Sequence, residues 1–193
     1  LFDWDLEHFA ESMQTADVLV TWDFPTENFS LVAPQLKFIH IIGAGVEHLC
    51  PMDWVPNGVQ VVNNRGVHAA KGGEFGLMSV LMLNCRIPAV IENQQGFHWE
   101  SLYSSSVAGK TLVVIGTGNI GGAAGQQCAA LGMKVIGISR HGKSVEGFSQ
   151  VLTSEDLEEV LTLADFVLMA TPLTLETENM LDRDIQSRIK PGA

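Results

Sequence analysis

Residues 109–140, GKTLVVIGTGNIGGAAGQQCAALGMKVIGISR, decide the fold class of this chain. The apolar run at 111–115 predicts a strand, which leads directly into a G-x-G-x-x-G motif at 116–121. A segment rich in Ala and Gln then predicts a helix to about Leu131, and residues 134–138 predict a second strand. A glycine motif placed between a strand and a helix of one βαβ unit is typical of dinucleotide binding. The alternative is a glycine-rich turn without a ligand.

Each glycine of this motif has a predicted role in the turn. Gly116 allows the tight turn, Gly118 lets the backbone approach a pyrophosphate, and Gly121 lets the helix lie close to the strand. The helix begins at Asn119 and Ile120, where free N–H groups and the positive end of the helix dipole favour an anion. These five residues form the first part of the predicted cofactor site.

The end of the second strand distinguishes between the two nicotinamide dinucleotides. An NAD site usually has Asp or Glu about 20 residues beyond the glycines, where the carboxylate bonds the ribose 2′-hydroxyl. This chain has Ser139, Arg140 and Lys143 in that region instead. A guanidinium fork and a second cation suit a 2′-phosphate. The residues therefore predict NADP as the cofactor and NAD as the alternative, unless Arg140 and Lys143 belong to an ordinary solvated loop.

Composition narrows the classes of partner and compartment. The 193 residues carry a net charge of −11, which argues against nucleic acid or an anionic membrane as the main partner. Apolar segments such as 77–83 are too short to span a bilayer. The three cysteines are odd in number and scattered, which predicts free thiols in a reducing cytoplasm. The chain begins at Leu1 without Met, so a missing N-terminus stays open.

The residues before the glycine motif predict a separate α/β lobe. Strands that alternate with helices indicate a parallel sheet with crossover connections. The helix predicted at 71–84 is apolar nearly all round, as in a core or a subunit interface. We predict an incomplete flavodoxin-like substrate lobe at 1–98, an incomplete Rossmann cofactor lobe at 99–193 and a hinge at 97–108. The predicted strands are 17–22, 36–42 and 59–62, and the predicted helices are 71–84 and 88–95.

Beyond Arg140, the pattern continues to the end of the chain. Thr153 and Asp156 are spaced as a helix-capping signal, residues 165–170 predict a buried strand, and 181–189 predict a short helix. In a Rossmann sheet of order 3-2-1-4-5-6 the fourth strand pairs with the first. The sequence stops where we expect that strand to begin, so we expect a cofactor lobe truncated after its third strand with one bare edge. The chain has the features of a fragment.

Five motifs in order match one family of enzymes. The chain resembles the D-isomer-specific 2-hydroxyacid dehydrogenases, most closely the members that are like glyoxylate/hydroxypyruvate reductase. The resemblance covers nearly the whole chain. It rests on LKFIHIIGAGVEHL at 36–49, NRGV at 64–67, AGKTLVVIGTGNIG at 108–121, ATPLTLET at 170–177 and KPGA at 190–193.

The resemblance implies a two-lobed enzyme that reduces a small 2-keto acid to the D-2-hydroxy acid with hydride from a nicotinamide. Backbone amides around Ala44, Gly45 and Val46 would hold the substrate carboxylate, because a turn of small residues exposes its N–H groups to an anion. The alternative for this turn is a tight connection with no ligand. Thr171 and Pro172 would line the cofactor crevice. The apolar helix at 71–84 would contribute to a homodimer contact.

In the family, the catalytic Arg, Glu and His all follow the KPGA motif, which lies at 190–193 here. We therefore assign no catalytic residue within this chain. We expect the chain to bind cofactor better than it turns over substrate. The resemblance places the general acid/base at a histidine that this chain does not contain. His48 follows the substrate turn and is expected at the surface or as a cap, and His40 is expected to be structural. A metal pair of His48 and Cys50 lacks further ligands, so we predict no metal site.

Two alternatives stay open. The first is a non-catalytic dinucleotide-binding sensor or corepressor-like module. The second is another Rossmann enzyme that reuses the glycine loop, which the turn at 44–46 and the TPLT run at 171–174 disfavour.

Overall fold

The computed structural model describes residues 6–193 of the chain. Packing divides the chain into two compact units, Leu1–Val67 and His68–Ala193. The units therefore part earlier in the chain than the predicted lobe boundary at 98/99. The long helix α3 (Ala69–Asn84) explains this difference, because its contacts are with helix α5 (Asn119–Ala130) of the second unit. The assignment of substrate and cofactor roles to 1–98 and 99–193 stays a prediction.

The first unit is a three-stranded parallel sheet with short helices. Its strands lie in the order β1-β2-β3, and β2 is central, with Val20, His40 and Val62 in register. Its elements are α1 (Phe9–Met13), β1 (Val18–Thr21), α2 (Phe29–Val32), β2 (Phe38–Ile41), β3 (Gln60–Asn63) and single 3₁₀ turns at Glu47–Leu49 and Met52–Trp54.

Aromatic side chains build the core of the first unit on one face of that sheet. Ile39 and Ile41 of β2 are fully buried, because alternate residues of a strand point to the same face. Phe24 and Phe29 pack 5.2 Å apart, and Trp54 meets both rings edge-on. This core fixes the position of β2 and therefore of the turn that follows its carboxyl end.

The second unit has the predicted α/β class, with a parallel sheet and helices. Its four strands lie in the order β6-β5-β4-β7 and all pairs are parallel. The buried strands β4 and β5 are apolar at almost every position, as expected for a parallel sheet covered on both faces. Besides α3 and α5, its elements are α4 (Ile87–Gln95), β4 (Thr111–Ile115), β5 (Lys134–Ile138), β6 (Gln150–Leu152), α6 (Leu157–Leu161), β7 (Phe166–Met169) and α7 (Arg183–Gln186).

The strand count and the bare edge are corrections to the sequence-based prediction. Residues 150–152 form β6, which pairs with β5 and makes β7 the fourth strand of the unit. β7 pairs with β4, so β4 has a neighbour on both sides rather than a bare edge. A strand of three residues carries no usable periodicity, which is why the sequence did not reveal it. The cofactor sheet thus continues to its fourth strand within this chain.

Glycines let α3 lie close to α5 in the second unit. An added Cβ at Gly76 would meet the Cβ of Ala124 at 2.7 Å, and one at Gly73 would meet the Cβ of Ala123 at 3.0 Å. This face of α3 is buried, whereas Phe75 on another face is 63% exposed. One face of α3 is therefore buried in the core, and another face is exposed.

No single helix of residues 6–193 is long and apolar enough to cross a membrane; α3 and α4 pass that length and composition test only as a pair bent by 63°.

Candidate dinucleotide and anion sites

The turn after β4 holds its first glycine in a conformation that side chains rarely adopt. Gly116 has a φ of +93°, and an added Cβ there would lie 2.7 Å from the carbonyl oxygen of Ala170. A positive φ favours glycine, and the close approach of the chain after β7 excludes a side chain. Gly116 therefore fits its position for two independent reasons, and both come from the protein itself.

The other two glycines of the motif differ from each other. An added Cβ at Gly121 would overlap the carbonyl oxygen of Gly116, so glycine is required where α5 approaches its own turn. Gly118 has a φ of −72°, which any residue adopts, and no described atom lies within 4 Å of its added Cβ beyond its chain neighbours. Protein packing accounts for Gly121 but not for Gly118. The space beside Gly118 is open for the close approach of a ligand.

The first turn of α5 faces that open space with unpaired backbone donors. Gly118 is the N-cap, and no side chain of the described residues caps the helix there. The first N–H groups of a helix have no partner within it, and the helix dipole makes this end positive. Asn119 and Ile120 are exposed at this point. Because α5 is a regular helix of 12 residues, its first N–H groups all point in one direction.

The carboxyl end of β7 contributes a buried hydroxyl without a partner. Among residues 6–193, Thr171 Oγ1 is buried and accepts or donates no hydrogen bond, and Thr171 Cγ2 lies 2.9 Å from the Cβ position of Gly116. A buried polar atom without a partner is rare and calls for an explanation. A ligand bound at the carboxyl ends of β4 and β7 would provide one.

The segment after Thr171 is braced from within. The hydroxyl of Thr177 donates to the carbonyl oxygen of Pro172 at 2.5 Å, and it accepts the backbone N–H of Thr174 at 2.9 Å. These bonds fold residues 172–177 into a braced loop. A position of Pro172 beside the cofactor stays a prediction.

The end of β5 carries two exposed cations that form no ion pair within residues 6–193. Ser139 donates its backbone N–H to Leu152, which ends the pairing of β5 with β6. Arg140 and Lys143 are exposed, and neither forms an ion pair with another residue of the described part of the chain. Hydrogen bonds from Thr174 and from its own backbone, together with the charge of Arg140, lower the pKa of Glu176. Arg140 therefore acts electrostatically on the same side of the sheet as the loop after β7.

In the first unit, the turn after β2 is held by two asparagines that the sequence analysis missed. Asn63 Nδ2 donates to the carbonyl oxygen of Ala44 at 2.7 Å, and Asn64 Nδ2 donates to that of Ile42 at 2.7 Å. Gly45 and Val46 complete the turn and are half-buried. The signal that could have revealed the pair is its place, directly at the carboxyl end of the neighbouring strand β3.

The histidines next to this turn have structural contacts. His48 is exposed, stacks on Trp22 at 4.5 Å and donates Nε2–H to the carbonyl oxygen of Trp22. His40 lies 2.8 Å from Asn64 Oδ1. The thiol of Cys50 donates to the carbonyl oxygen of Val46 at 3.5 Å. No group of three or more His, Cys, Asp or Glu side chains within residues 6–193 is arranged to hold a metal ion.

The arrangement of the second unit matches a known family of proteins. The sequence profile of the D-isomer specific 2-hydroxyacid dehydrogenase, NAD binding domain, matches residues 77–193, which is more than half of the chain. The chain belongs to this family. The match begins within α3 and covers the whole four-stranded sheet.

The similarity to known proteins extends over both units. D-3-phosphoglycerate dehydrogenase of Mycobacterium tuberculosis is 26% identical over 97% of this chain and 36% of its own length. A family member from Aeromonas salmonicida has a crystal structure with 28% identity and a TM-score of 0.81, covering 99% of this chain and 61% of that one. The chain thus spans between about a third and three fifths of the length of these relatives.

A third relative carries a cofactor in its crystal structure. NADPH-dependent glyoxylate/hydroxypyruvate reductase from Sinorhizobium meliloti, in complex with NADP and sulfate, is 27% identical with a TM-score of 0.77. The similarity covers 91% of this chain and 55% of that protein. Membership of the family supports binding of a nicotinamide dinucleotide by the second unit.

Proposed function

We propose that this chain is part of an NADP-preferring oxidoreductase that reduces a small 2-keto acid, of the glyoxylate or hydroxypyruvate type, to the D-2-hydroxy acid. The observations that carry the proposal lie at the carboxyl ends of β4 and β7, where we place the cofactor crevice. Beside Gly118 there is open space that protein packing does not explain, and the Thr171 hydroxyl has no hydrogen-bond partner among residues 6–193. Family membership supplies the class of reaction.

The residues around this crevice fit a dinucleotide. The amides of Asn119, Ile120 and Gly121 would bind the pyrophosphate, with Gly116 and Gly118 shaping the turn. Thr171 and Pro172 would face the nicotinamide end. The nicotinamide supplies the hydride when it is bound, and the chain's part is to orient it and to shield one side of it.

The preference for NADP rests on charge at the end of β5. Residues 139–144 contain Arg140 and Lys143 but no Asp or Glu. Because neither cation forms an ion pair with another described residue, both are available to a 2′-phosphate, with Ser139 as a further hydrogen-bonding group. The S. meliloti relative and its bound NADP are consistent with this choice.

The substrate side is proposed for the turn at Ala44, Gly45 and Val46. Small residues leave their backbone amides open to a carboxylate, and the turn lies at the carboxyl end of a parallel strand, where ligands of open α/β sheets bind. Catalytic acid/base groups are assigned to no residue of this chain, and no metal is assigned to the reaction. We therefore expect turnover from the complete protein and little from this chain alone.

We also propose a homodimer in the cytoplasm. Large apolar side chains of α3 and of the segment after α4 are exposed, including Phe75, Leu83, Phe97 and Trp99, which is 88% exposed. Exposed apolar side chains of this size suit a contact between two copies of the chain. All three cysteines are free, in keeping with a reducing compartment.

The test is reduction of 2-keto acids by the complete protein, followed as NADPH oxidation with glyoxylate, hydroxypyruvate and pyruvate. We expect turnover with NADPH that exceeds turnover with NADH, and an Arg140→Ala variant whose KM for NADPH rises at least ~10-fold, about 1.4 kcal/mol. Lys134→Ala, a cation at the opposite end of β5, is the matched control. NADPH binding without reduction of any 2-keto acid would favour the non-catalytic module instead.

A further inference from the structure

Three consecutive carbonyl groups of the turn after β2 are tied to the end of β3. Ile42 and Ala44 accept from the side chains of Asn64 and Asn63, and Gly43 accepts the backbone N–H of Asn64 at 3.0 Å. In a regular strand, successive carbonyls alternate in direction, so three in a row on one side is a departure from strand geometry.

The direction of the carbonyls fixes the direction of the amides. A trans peptide group is planar, and its C=O and N–H point in opposite directions. The N–H groups of Gly43, Ala44 and Gly45 therefore point away from β3. Successive amides that face one way form a concave anion-binding nest. No acceptor among the described residues takes these three N–H groups.

The two asparagines are themselves held in one orientation. Asn64 Nδ2 is engaged by Ile42, so its Oδ1 is the acceptor for His40, which donates from Nε2 at 2.8 Å. Asn63 Oδ1 accepts the backbone N–H of Arg65 at 3.3 Å. An amide side chain with both ends bonded cannot flip to present its oxygen to a carbonyl.

We propose that Asn63 and Asn64 are positioning residues that aim the amides of Ala44 and Gly45 at the carboxylate of a 2-keto acid, with His40 holding Asn64 in place. The proposal rests on the proposed function and adds to it the residues that preorganise the substrate turn. A turn followed by only three residues of 3₁₀ helix has no long helix to orient its donors, so side chains take that task.

The first experiment compares Asn63→Ala and Asn64→Ala with Asn57→Ala in the complete protein. Asn57 is exposed before the amino end of β3 and serves as the matched control. We expect Asn63→Ala and Asn64→Ala each to raise KM for glyoxylate at least ~10-fold while KM for NADPH stays within twofold. We expect His40→Ala to raise KM for glyoxylate by a smaller factor. A role in folding alone would lower thermal stability without separating the two KM values. Unchanged glyoxylate KM in both asparagine variants of an active enzyme would overturn the proposal.

A second measurement does not depend on turnover, and its first step needs no variant. Oxamate, an unreactive carboxylate with a neighbouring carbonyl, is titrated into the ¹⁵N-labelled complete protein. We expect the amide resonances of Ala44 and Gly45 to shift, and the shift to weaken at least fivefold in Asn64→Ala. Unmoved resonances in the unsubstituted protein would overturn the proposal. A shift in a protein that reduces no 2-keto acid would leave the positioning role standing while the proposed reaction fails.

Discussion

The turns after β2 and after β4 both follow an internal strand of their sheet and both present backbone amides, but they are held by different means. In the second unit, the 12-residue helix α5 begins at the turn and orients its donors. In the first unit, only three residues of 3₁₀ helix follow, and the side chains of Asn63 and Asn64 pin the carbonyls instead. We propose that both turns are anion sites, one preorganised by a helix and the other by side-chain braces.

The two turns also differ in the charge that surrounds them. The carboxylate of Glu47 lies against Gly45 in the first turn, whereas Arg140 and Lys143 follow the strand next to the second turn. A site for a dinucleotide with an additional phosphate needs cations, and a small turn for one carboxylate functions with amides alone. We expect the helix-based site to bind its anion more tightly.

The largest effect is expected where α5 meets its own turn. Gly121→Ala would place a methyl group on the carbonyl oxygen of Gly116, and because backbone cannot move aside as a side chain can, we expect a loss of about 3 kcal/mol or more in the free energy of unfolding. Gly122→Ala is the control, since its Cβ finds only ordinary contacts at 3.5 Å and beyond. Urea denaturation compares them; equal stability of the two variants would contradict the tight turn.

The second largest effect is expected in the thiol reactivity of the cysteines near the two turns. Burial raises the pKa of the Cys128 thiol on α5 to about 11, whereas Cys50 beside the first turn is exposed. At pH 8 the native protein should react with a thiol reagent at Cys50 and roughly 100-fold more slowly at Cys128. Mass spectrometry of the labelled chain measures both, and equal rates in the native state would mean that α5 does not shield its thiol.

The same thiol links stability to pH. The unfolded chain releases the Cys128 proton near pH 9, before the folded chain does. The contribution of this thiol to the free energy of unfolding is therefore complete below pH 9 and is lost as pH rises towards about 11. Cys128→Ala should abolish this fall in the free energy of unfolding at high pH. Cys50→Ala, at an exposed thiol, is the control.

Gly118→Ala separates ligand binding from folding in the second turn. The added methyl enters open space, so we expect stability to change by less than about 1 kcal/mol, while affinity for NADPH falls at least ~10-fold because the pyrophosphate can no longer approach. Thermal unfolding and fluorescence titration are measured on the same variant. Unchanged affinity would mean that no ligand approaches Gly118.

The smallest effect is expected from the carboxylate beside the first turn. Glu47→Gln removes a like charge next to the proposed carboxylate site, and because Glu47 is exposed and screened, KM for glyoxylate should fall only about twofold. Glu158→Gln, an exposed carboxylate on α6, is the control. A rise in KM would show instead that Glu47 supports the turn.

The sequence was most informative where local rules act. The strand, turn and helix around 109–140 form as expected, and the capping box of Thr153 and Asp156 is present. A glycine motif and a capping pair each depend on residues a few positions apart, so a single sequence reveals them.

Contacts between distant residues could not be predicted in this way. Asn63 meets Ala44 only because β2 and β3 pair in one register, and β7 pairs with β4 although β5 and β6 lie between them in the chain. The buried hydroxyl of Thr171 likewise stands out only once its surroundings are known. The substrate role that the sequence suggested for the segment at 44–46 stays a prediction, while the side chains that hold its carbonyls came from the structure.

Fluorescence titration of this chain with NADPH and NADH in parallel tests the central claim most directly. A helix-based site with Arg140 and Lys143 beside it predicts tight binding of NADPH and binding of NADH at least ~10-fold weaker, about 1.4 kcal/mol. Raising the salt concentration should narrow that difference, because it screens exposed cations. Equal binding of both would contradict the phosphate preference, and binding of neither would contradict the dinucleotide site itself.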